Sequence, residues 1–169
     1  SIEAMARSSF LIVFLQFVLH RVEMLTIPTE IGLQTDLETL SWNSKGYTGT
    51  IPTQFGLLTK MSSHFYLYSN SLSKAIPTEL GGMTGMSKGF VLNSNSLSKA
   101  IPTELGGMTG MESYFVLQVN RLSKAIPTEL GGMTGMESGF YLSLNSLNKA
   151  IPTELGGLTK MSVDVHLHT

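Results

Sequence analysis

The sequence contains no cysteine in its 169 residues, which excludes a disulfide framework, a thiolate metal site and a cysteine nucleophile. Charge is also scarce, since charged residues make up 14% of the chain and the net charge is −1. So small a charge gives no bulk attraction to nucleic acid or to an anionic membrane, and we expect no nucleic-acid partner. No Asn-x-Ser/Thr sequon for N-glycosylation occurs, which disfavours passage through the secretory pathway.

Long apolar runs are rare as well, and the most conspicuous is FLIVFLQFVL at residues 10–19. It is too short to cross a membrane, because a spanning helix needs about 20 apolar residues. Its Phe, Val, Ile and Leu content favours a cap strand, while Met5, Ala6 and Arg7 before it are compatible with a signal peptide. A weak membrane contact is the third interpretation. We expect residues 1–26 to form an apolar N-terminal cap, a degenerate first repeat; the compartment stays open between secretion, the cell surface and a membrane-associated complex.

What the chain does have is an internal repeat. The tripeptide Ile-Pro-Thr starts six times at intervals of 24 or 25 residues, at Ile27, Ile51, Ile76, Ile101, Ile126 and Ile151. Self-similarity at a fixed period is typical of a solenoid, in which each unit buries its apolar face against its neighbours. We therefore predict that residues 27–169 form an array of about six repeats with an uncapped C-terminal end.

Each repeat has the same internal plan. An alternating stretch such as Phe65-x-Leu67 has the two-residue period of a half-buried strand. Three residues after the strand leucine comes an asparagine, whose amide we expect to satisfy backbone groups of adjacent repeats: Asn70, Asn95, Asn120 and Asn145. Most methionines recur at two apolar positions, a pattern that indicates adaptable core packing rather than a metal or cofactor site.

In the first copy, apolar and small residues fall in a recognisable order: Leu37, Leu40, Trp42, Tyr47, Gly49, Ile51 and Pro52. This order resembles the plant-type leucine-rich repeat, LxxLxxLxLxxNxLxGxIPxxLGxL, which occurs in plants and eukaryotic algae. The resemblance covers roughly residues 27–169. It implies an α/β solenoid with a parallel concave β-sheet and irregular or 3₁₀ segments on the convex side. In that family the concave face binds peptides, proteins or glycans.

Two departures from the family pattern have structural consequences. From Ile51 onward each repeat carries one extra residue before the strand, as in Met61-Ser62-Ser63-His64-Phe65, so we expect a bulge there. A glycine of the family is kept at Gly49 but replaced by lysine in later copies: Lys74, Lys99, Lys124 and Lys149. If that position requires a positive φ, lysine is strained in it.

The concave face is the predicted binding surface. Strand alternation directs one set of side chains away from the core: Tyr66, Tyr68, Val91, Asn93, Tyr114, Val116, Gln118, Tyr141 and Ser143. Tyrosine is typical of recognition surfaces, although tyrosine and valine also favour strands for their own sake. We predict a non-catalytic interaction or scaffolding module for a protein, peptide or glycan. It would be a subunit of a larger assembly, with the C-terminal edge as a second docking surface.

Repetition also produces polar ladders. Lysines at Lys74 and its copies, and glutamates at Glu79, Glu104, Glu129 and Glu154, predict a solvated face, with a partner-docking stripe as the alternative. Like charges stacked along each ladder repel, and cross-pairing between the two ladders would relieve this repulsion. Threonines recur after each proline, at Thr29, Thr53, Thr78, Thr103, Thr128 and Thr153. A regular threonine array resembles those of some ice-binding proteins, which gives an alternative function.

Signatures of catalysis are missing from the sequence. It has no nucleophile elbow, phosphate-binding loop or HExxH motif, so we predict that it is not an enzyme and has no cofactor. One weak metal-site candidate is Asp164, His166 and His168, which alternate along the last predicted strand and would point to one face. The alternative is three polar residues on a frayed terminus.

Overall fold

The computed structural model describes residues 25–167, which wind into a stack of repeats. The first strand of each repeat joins a parallel six-stranded sheet in the order β1-β3-β5-β7-β9-β11. Numbered in chain order, its strands are β1 (Leu40–Ser41), β3 (Ser63–Tyr66), β5 (Lys88–Val91), β7 (Ser113–Val116), β9 (Ser138–Tyr141) and β11 (Val163–His166). The predicted cap, signal or anchor at residues 10–19 lies outside the described residues.

A second parallel sheet, which the sequence did not lead us to expect, has five strands in the order β10-β8-β6-β4-β2. Its strands are β2 (Thr48–Gly49), β4 (Ser71–Lys74), β6 (Ser96–Lys99), β8 (Arg121–Lys124) and β10 (Ser146–Leu147). They hold two to four residues each, too few to show a two-residue period. The Thr48 amide donates to the Leu25 carbonyl at 2.9 Å, so residues 25–26 extend this sheet beyond β2 by one isolated parallel bridge.

Short 3₁₀ helices complete each repeat. They are η1 (Thr29–Leu33), η2 (Thr53–Leu57), η3 (Thr78–Gly82), η4 (Thr103–Gly107), η5 (Thr128–Gly132) and η6 (Thr153–Gly157). Each follows a proline, whose fixed φ and missing N–H suit a helix N-terminus. This architecture confirms the leucine-rich-repeat solenoid. No helix within residues 25–167 has the length and apolar character to cross a membrane.

Glycine after the helix leucine allows the repeats to stack closely. A β-carbon placed on Gly81 would lie 2.4 Å from the Glu104 carbonyl oxygen, and one on Gly106 would lie 2.3 Å from the Glu129 carbonyl oxygen. Both distances are impossible for real atoms, and the obstacle is backbone, which cannot rotate away. Any side chain here would therefore separate adjacent 3₁₀ helices and disturb the sheets that share their spacing.

The core is a column of identical side chains. Four phenylalanines, Phe65, Phe90, Phe115 and Phe140, are fully buried, and their rings stack at centroid distances of 5.4–5.6 Å. The recurring methionines Met61, Met83, Met86, Met108, Met111, Met133 and Met136 are also fully buried, which confirms their packing role. The core is less well covered at the last repeat: Ile151 is 56% exposed, whereas Ile101, at the same position of an inner repeat, is 2% exposed.

The asparagine ladder binds neighbouring repeats together as expected. The Asn95 Oδ1 atom accepts from the Leu72 amide at 3.0 Å, and its Nδ2 atom donates to the Leu67 carbonyl at 3.0 Å. The same Nδ2 atom also reaches the Leu92 carbonyl of its own repeat at 3.1 Å. One side chain thus satisfies buried polar groups on two successive turns of the solenoid.

The lysine ladder is strained, and its side chains are exposed. Lys74, Lys99 and Lys124 have φ values of 72°, 75° and 75°, the left-handed region that glycine occupies at Gly49. Among the residues that the structure describes, the lysine and glutamate ladders form no ion pairs with each other. The ion pairs of those residues are Lys60–Asp36 and Lys88–Glu112, so the ladder lysines extend into solvent instead.

Candidate functional site

The extra residue before each concave strand forms the expected bulge. The Glu38 carbonyl accepts from two successive amides, Ser62 at 3.0 Å and Ser63 at 3.1 Å. One carbonyl shared by two successive amides marks a locally bulged segment, although the later strands stay in residue-for-residue register, as at Ser113↔Ser138 and Phe115↔Phe140. The Ser87 and Glu112 carbonyls each accept two amides in the same way. Such bulges re-aim the side chains beside them, and here they lie at the start of the concave face.

The bulge residue lies in the left-handed region in four consecutive repeats. His64, Gly89, Tyr114 and Gly139 have φ values of 56°, 74°, 61° and 74°. Glycine adopts this conformation freely, whereas histidine and tyrosine in it cost about 1 kcal/mol or more each. A bulky residue thus alternates with glycine along the stack. Strain of this kind is characteristic of functional surfaces, so it directs attention to the bulky members.

Two tyrosine rings lie above the two bulge glycines. A β-carbon on Gly89 would stand 2.8 Å from Tyr66 Cε1, and one on Gly139 would stand 3.0 Å from Tyr114 Cδ1. The outer end of the Tyr66 ring therefore occupies the space that a side chain on Gly89 would need. At Gly139 the same space is taken by Tyr114 Cδ1 together with the Tyr114 backbone, whose N and Cα atoms would lie at 3.0 Å and 3.2 Å.

We call the side chains His64, Tyr66, Tyr68, Tyr114 and Tyr141 the concave aromatic face. The Tyr66 ring contacts His64 and Tyr68 edge to face, at centroid distances of 5.2 Å and 5.8 Å. Burial raises the pKa of the Tyr66 phenol above its ordinary value, and the nearby phenols of Tyr68 and Tyr114 raise this pKa further. Tyr66 therefore remains a neutral hydrogen-bond donor at physiological pH. Tyr114 is the most exposed of the four tyrosines, at 54%.

The other predicted concave residues are less accessible. Val91, Asn93 and Gln118 are half-buried. Val116 and Ser143 are each 6% exposed, so the prediction that they present a surface to a ligand needs correction. Strand alternation alone does not reveal this burial, because it gives the direction of a side chain and not what surrounds it. The Ser143 hydroxyl donates to Gln118 Oε1 at 3.5 Å and helps to fix that amide.

Sequence reasoning gave too little weight to two apolar residues at the end of the concave strands. Val119 and Leu144, which we call the edge pair, are 41% and 64% exposed and have φ values of 54° and 55°. Ser69 and Ser94 occupy the same position in earlier repeats. A β-branched valine at positive φ is a true outlier. The sequence did contain a signal for these exposed apolar residues, because two adjacent copies replace the serine of earlier repeats by valine and leucine.

The threonine ladder lies on the 3₁₀ helices, away from the concave face. Its members are exposed, and in the later copies their hydroxyls donate to the adjacent carboxylates: Thr78 to Glu79 at 3.3 Å, and Thr103 to Glu104 at 3.2 Å. Thr128 and Thr153 repeat this contact with their neighbouring glutamates. The ladder is therefore lined by a parallel row of negative charge.

The weak metal-site candidate falls largely outside the described side chains. The His166 ring contacts Tyr141 with its centroid 4.9 Å away, while Asp164 and His168 have no described side chain. Among the side chains described, no group of three or more histidines and carboxylates is placed to hold a metal ion. The candidate thus stays a prediction from the sequence.

Comparison with solved structures places this fold among plant leucine-rich-repeat proteins. One similar structure is the ectodomain of the membrane receptor kinase GASSHO1/SCHENGEN3 from Arabidopsis thaliana, in complex with CASPARIAN STRIP INTEGRITY FACTOR 2. Its sequence is 35% identical to this chain and the TM-score is 0.74. The match covers 80% of this chain and 16% of the ectodomain. A second is the Arabidopsis receptor kinase HAESA, in complex with the peptide hormone IDA and the co-receptor SERK1. It is 27% identical with a TM-score of 0.74, and the match covers 83% of this chain and 24% of that one.

A plant ice-binding protein is also similar, at 26% identity and a TM-score of 0.68, over 77% of this chain and 41% of that one. The chain spans less than a quarter of the length of the two receptor ectodomains. No protein-family model matches the sequence, and no curated protein matches it significantly. The class that fold and site define is a plant-type leucine-rich-repeat solenoid with an aromatic concave face.

Proposed function

We propose that this chain is a non-catalytic recognition module of the plant-type leucine-rich-repeat family, which binds a protein or peptide on the concave aromatic face. Tyr114 carries the proposal. It is 54% exposed and held at a φ of 61°, in a position where the flanking repeats use glycine. Neither core packing nor backbone geometry requires a tyrosine there. Exposed aromatic side chains of this kind commonly anchor partners in protein interfaces.

The similar receptor ectodomains support this assignment, since one of them is in complex with a peptide hormone and a co-receptor. The edge pair, Val119 and Leu144, extends the apolar surface along the same side of the stack. Membership of a larger assembly follows naturally from such a module. Docking at the C-terminal edge and membrane contact by residues 10–19 stay predictions from the sequence.

The test is a peptide-display selection with the whole chain as bait, followed by affinity measurements on the enriched peptides. The key variant is Tyr114→Gly, which copies Gly89 and Gly139 and therefore removes backbone strain instead of adding it. We expect the variant to melt no lower than the parent and to bind enriched peptides roughly tenfold more weakly. Thr109→Ala, an exposed change elsewhere on the repeat, is the matched control and should leave binding unchanged. Equal affinity of the parent and Tyr114→Gly for every enriched peptide would contradict the proposal.

Ice binding is the second candidate function. It is favoured by the exposed threonine ladder and by the similarity to a plant ice-binding protein. The glutamates that accept hydrogen bonds from Thr78, Thr103 and Thr128 place charge along that ladder, which disfavours an ordered ice-like water layer. This is why we rank it second.

Thermal hysteresis of the purified chain decides between the two functions. Ice binding predicts a measurable hysteresis gap that Thr103→Val or Thr103→Lys changes and Tyr114→Gly leaves intact. A recognition module predicts no gap in any of these proteins. A gap abolished by Thr103→Lys would make ice binding the better account.

A further inference from the structure

The spacing of the aromatic rings on the concave face suggests what kind of segment it accepts. One atom of the Tyr66 ring, Cε1, lies against Gly89 on β5, and one atom of the Tyr114 ring, Cδ1, lies against Gly139 on β9. These strands are second neighbours in the sheet. Adjacent strands lie about 4.8 Å apart, so these two ring contacts lie about 9.6 Å apart along the stack.

A polyproline II helix has a matching repeat. It has three residues per turn and a rise of about 3.1 Å per residue, so its side chains return to the same face about every 9.3 Å. The corresponding repeats are about 6.7 Å for an extended strand and about 5.4 Å for an α-helix. Of these three conformations, only polyproline II brings equivalent side chains onto both rings when the segment crosses the strands.

Charge on this face favours an uncharged occupant. Between residues 63–68, 88–93, 113–118 and 138–143 the one charged side chain is Lys88, which already pairs with Glu112 at 3.5 Å. A charged segment would lose hydration on the face without gaining an opposite charge. A row of prolines carries no side-chain charge and presents flat apolar rings that pack against aromatic rings.

Hydrogen-bonding groups beside the rings suit the same occupant. Proline has no backbone N–H, so a proline-rich segment offers carbonyl acceptors and needs donors. The half-buried amides of Asn93 and Gln118 supply such donors, and the Tyr66 phenol, whose pKa is raised, supplies another. Binding a preformed polyproline II segment also costs less conformational entropy than ordering a flexible one.

We propose that the concave aromatic face takes an uncharged, proline-rich protein segment in the polyproline II conformation, lying across the strands with prolines three residues apart on the two tyrosine rings. This inference rests on the proposed function and names the partner class for the same face. It distinguishes this chain from a general peptide binder, because it fixes the direction, the conformation and the charge of the ligand.

The direct test titrates the whole chain with a fluorescent decaproline peptide. A Gly-Ser decamer and a neutral six-unit β-glucan oligosaccharide serve as comparison ligands. We expect saturable binding of decaproline alone, weakened roughly tenfold by Tyr114→Gly and retained by Tyr114→Phe, because the ring rather than the phenol makes the contact. Absence of decaproline binding at about 1 mM, or tighter binding of the oligosaccharide, would overturn the inference.

The peptide-display selection separates failure of this inference from failure of the proposed function. Enriched peptides with prolines at i and i+3, lost with Tyr114→Gly, support both. Enriched peptides that depend on Tyr114 but lack this proline spacing refute the polyproline II inference and leave the recognition function standing. If no enriched peptide depends on Tyr114, the proposed function itself fails, and the inference fails with it.

Discussion

Replacing Asn95 by aspartate would test how far the asparagine ladder stabilises the stack. The change keeps the size of the side chain and the Oδ1 acceptor for the Leu72 amide. It removes the Nδ2 donor, which reaches the carbonyls of Leu67 at 3.0 Å and Leu92 at 3.1 Å. A carboxylate oxygen then faces two carbonyl oxygens in a part-buried place, where no donor satisfies either of them.

The expected loss follows from these contacts. An amide has two N–H groups, so two hydrogen bonds disappear at about 1 kcal/mol each, and like partial charges add a further penalty. We expect Asn95→Asp to lower the free energy of unfolding by about 3 kcal/mol at neutral pH. The pKa of the new carboxyl should be raised in the folded state, since its neutral form can donate to one carbonyl. Stability lost at neutral pH should therefore return partly as pH falls through this raised pKa, and the recovery should be complete at about pH 4, the ordinary pKa of the carboxyl.

Urea unfolding followed by circular dichroism measures this loss through the transition midpoint, provided that the slope is unchanged. Asn148→Asp is the matched control, because Asn148 is exposed and outside the ladder. We expect the control to change stability by less than about 0.5 kcal/mol. Equal effects of the two substitutions, or a loss at Asn95 that does not shrink at low pH, would refute the ladder as a source of stability.

Three further predictions follow from strained or perturbed positions. Lys99→Gly should raise stability by about 1 kcal/mol and the melting temperature by about 3 °C, because φ is 75° there; calorimetry showing destabilisation would contradict this. Val119→Gly should also stabilise the fold by about 1 kcal/mol while weakening concave-face peptide binding several-fold, whereas weakened binding together with lower stability would indicate a structural role. For Tyr66, the raised pKa means that its stabilising contribution is complete below the ordinary phenol pKa of 10.0 and is lost as pH rises through the higher folded value. Tyr66→Phe should remove that step from a plot of melting temperature against pH, and an unaltered plot would refute it.

Much of the fold could be predicted because repetition multiplies weak signals. A single Phe-x-Leu pair is ambiguous, but its recurrence with a following asparagine in successive copies indicates stacked strands. The second sheet gave no such signal, since β2 and β10 hold two residues each. Its strands form because the first sheet and the 3₁₀ helices fix the spacing between repeats, which is a property of the whole stack.

The binding face was harder to predict than the fold. Strand alternation gives the direction of a side chain but not the size of its neighbours, so Val116 and Ser143 were expected at the surface and are covered. Conversely, the exposure of Val119 and Leu144 depends on a left-handed turn that apolar residues rarely adopt. The one-residue insertion before each strand did predict the bulges. Their alternation of bulky residues with glycine is visible in the sequence, but the rings that cover the glycines are visible only in the structure.

An amide chemical-shift map of the 18.4 kDa chain would test the central claim most directly. The labelled protein would be titrated with the tightest peptide from the display selection. Recognition by the concave aromatic face predicts that the largest shifts fall in β3, β5, β7 and β9 and at Val119, with little change in η2 to η5. The largest shifts in the 3₁₀ helices, with β3, β5, β7 and β9 unmoved, would contradict the account.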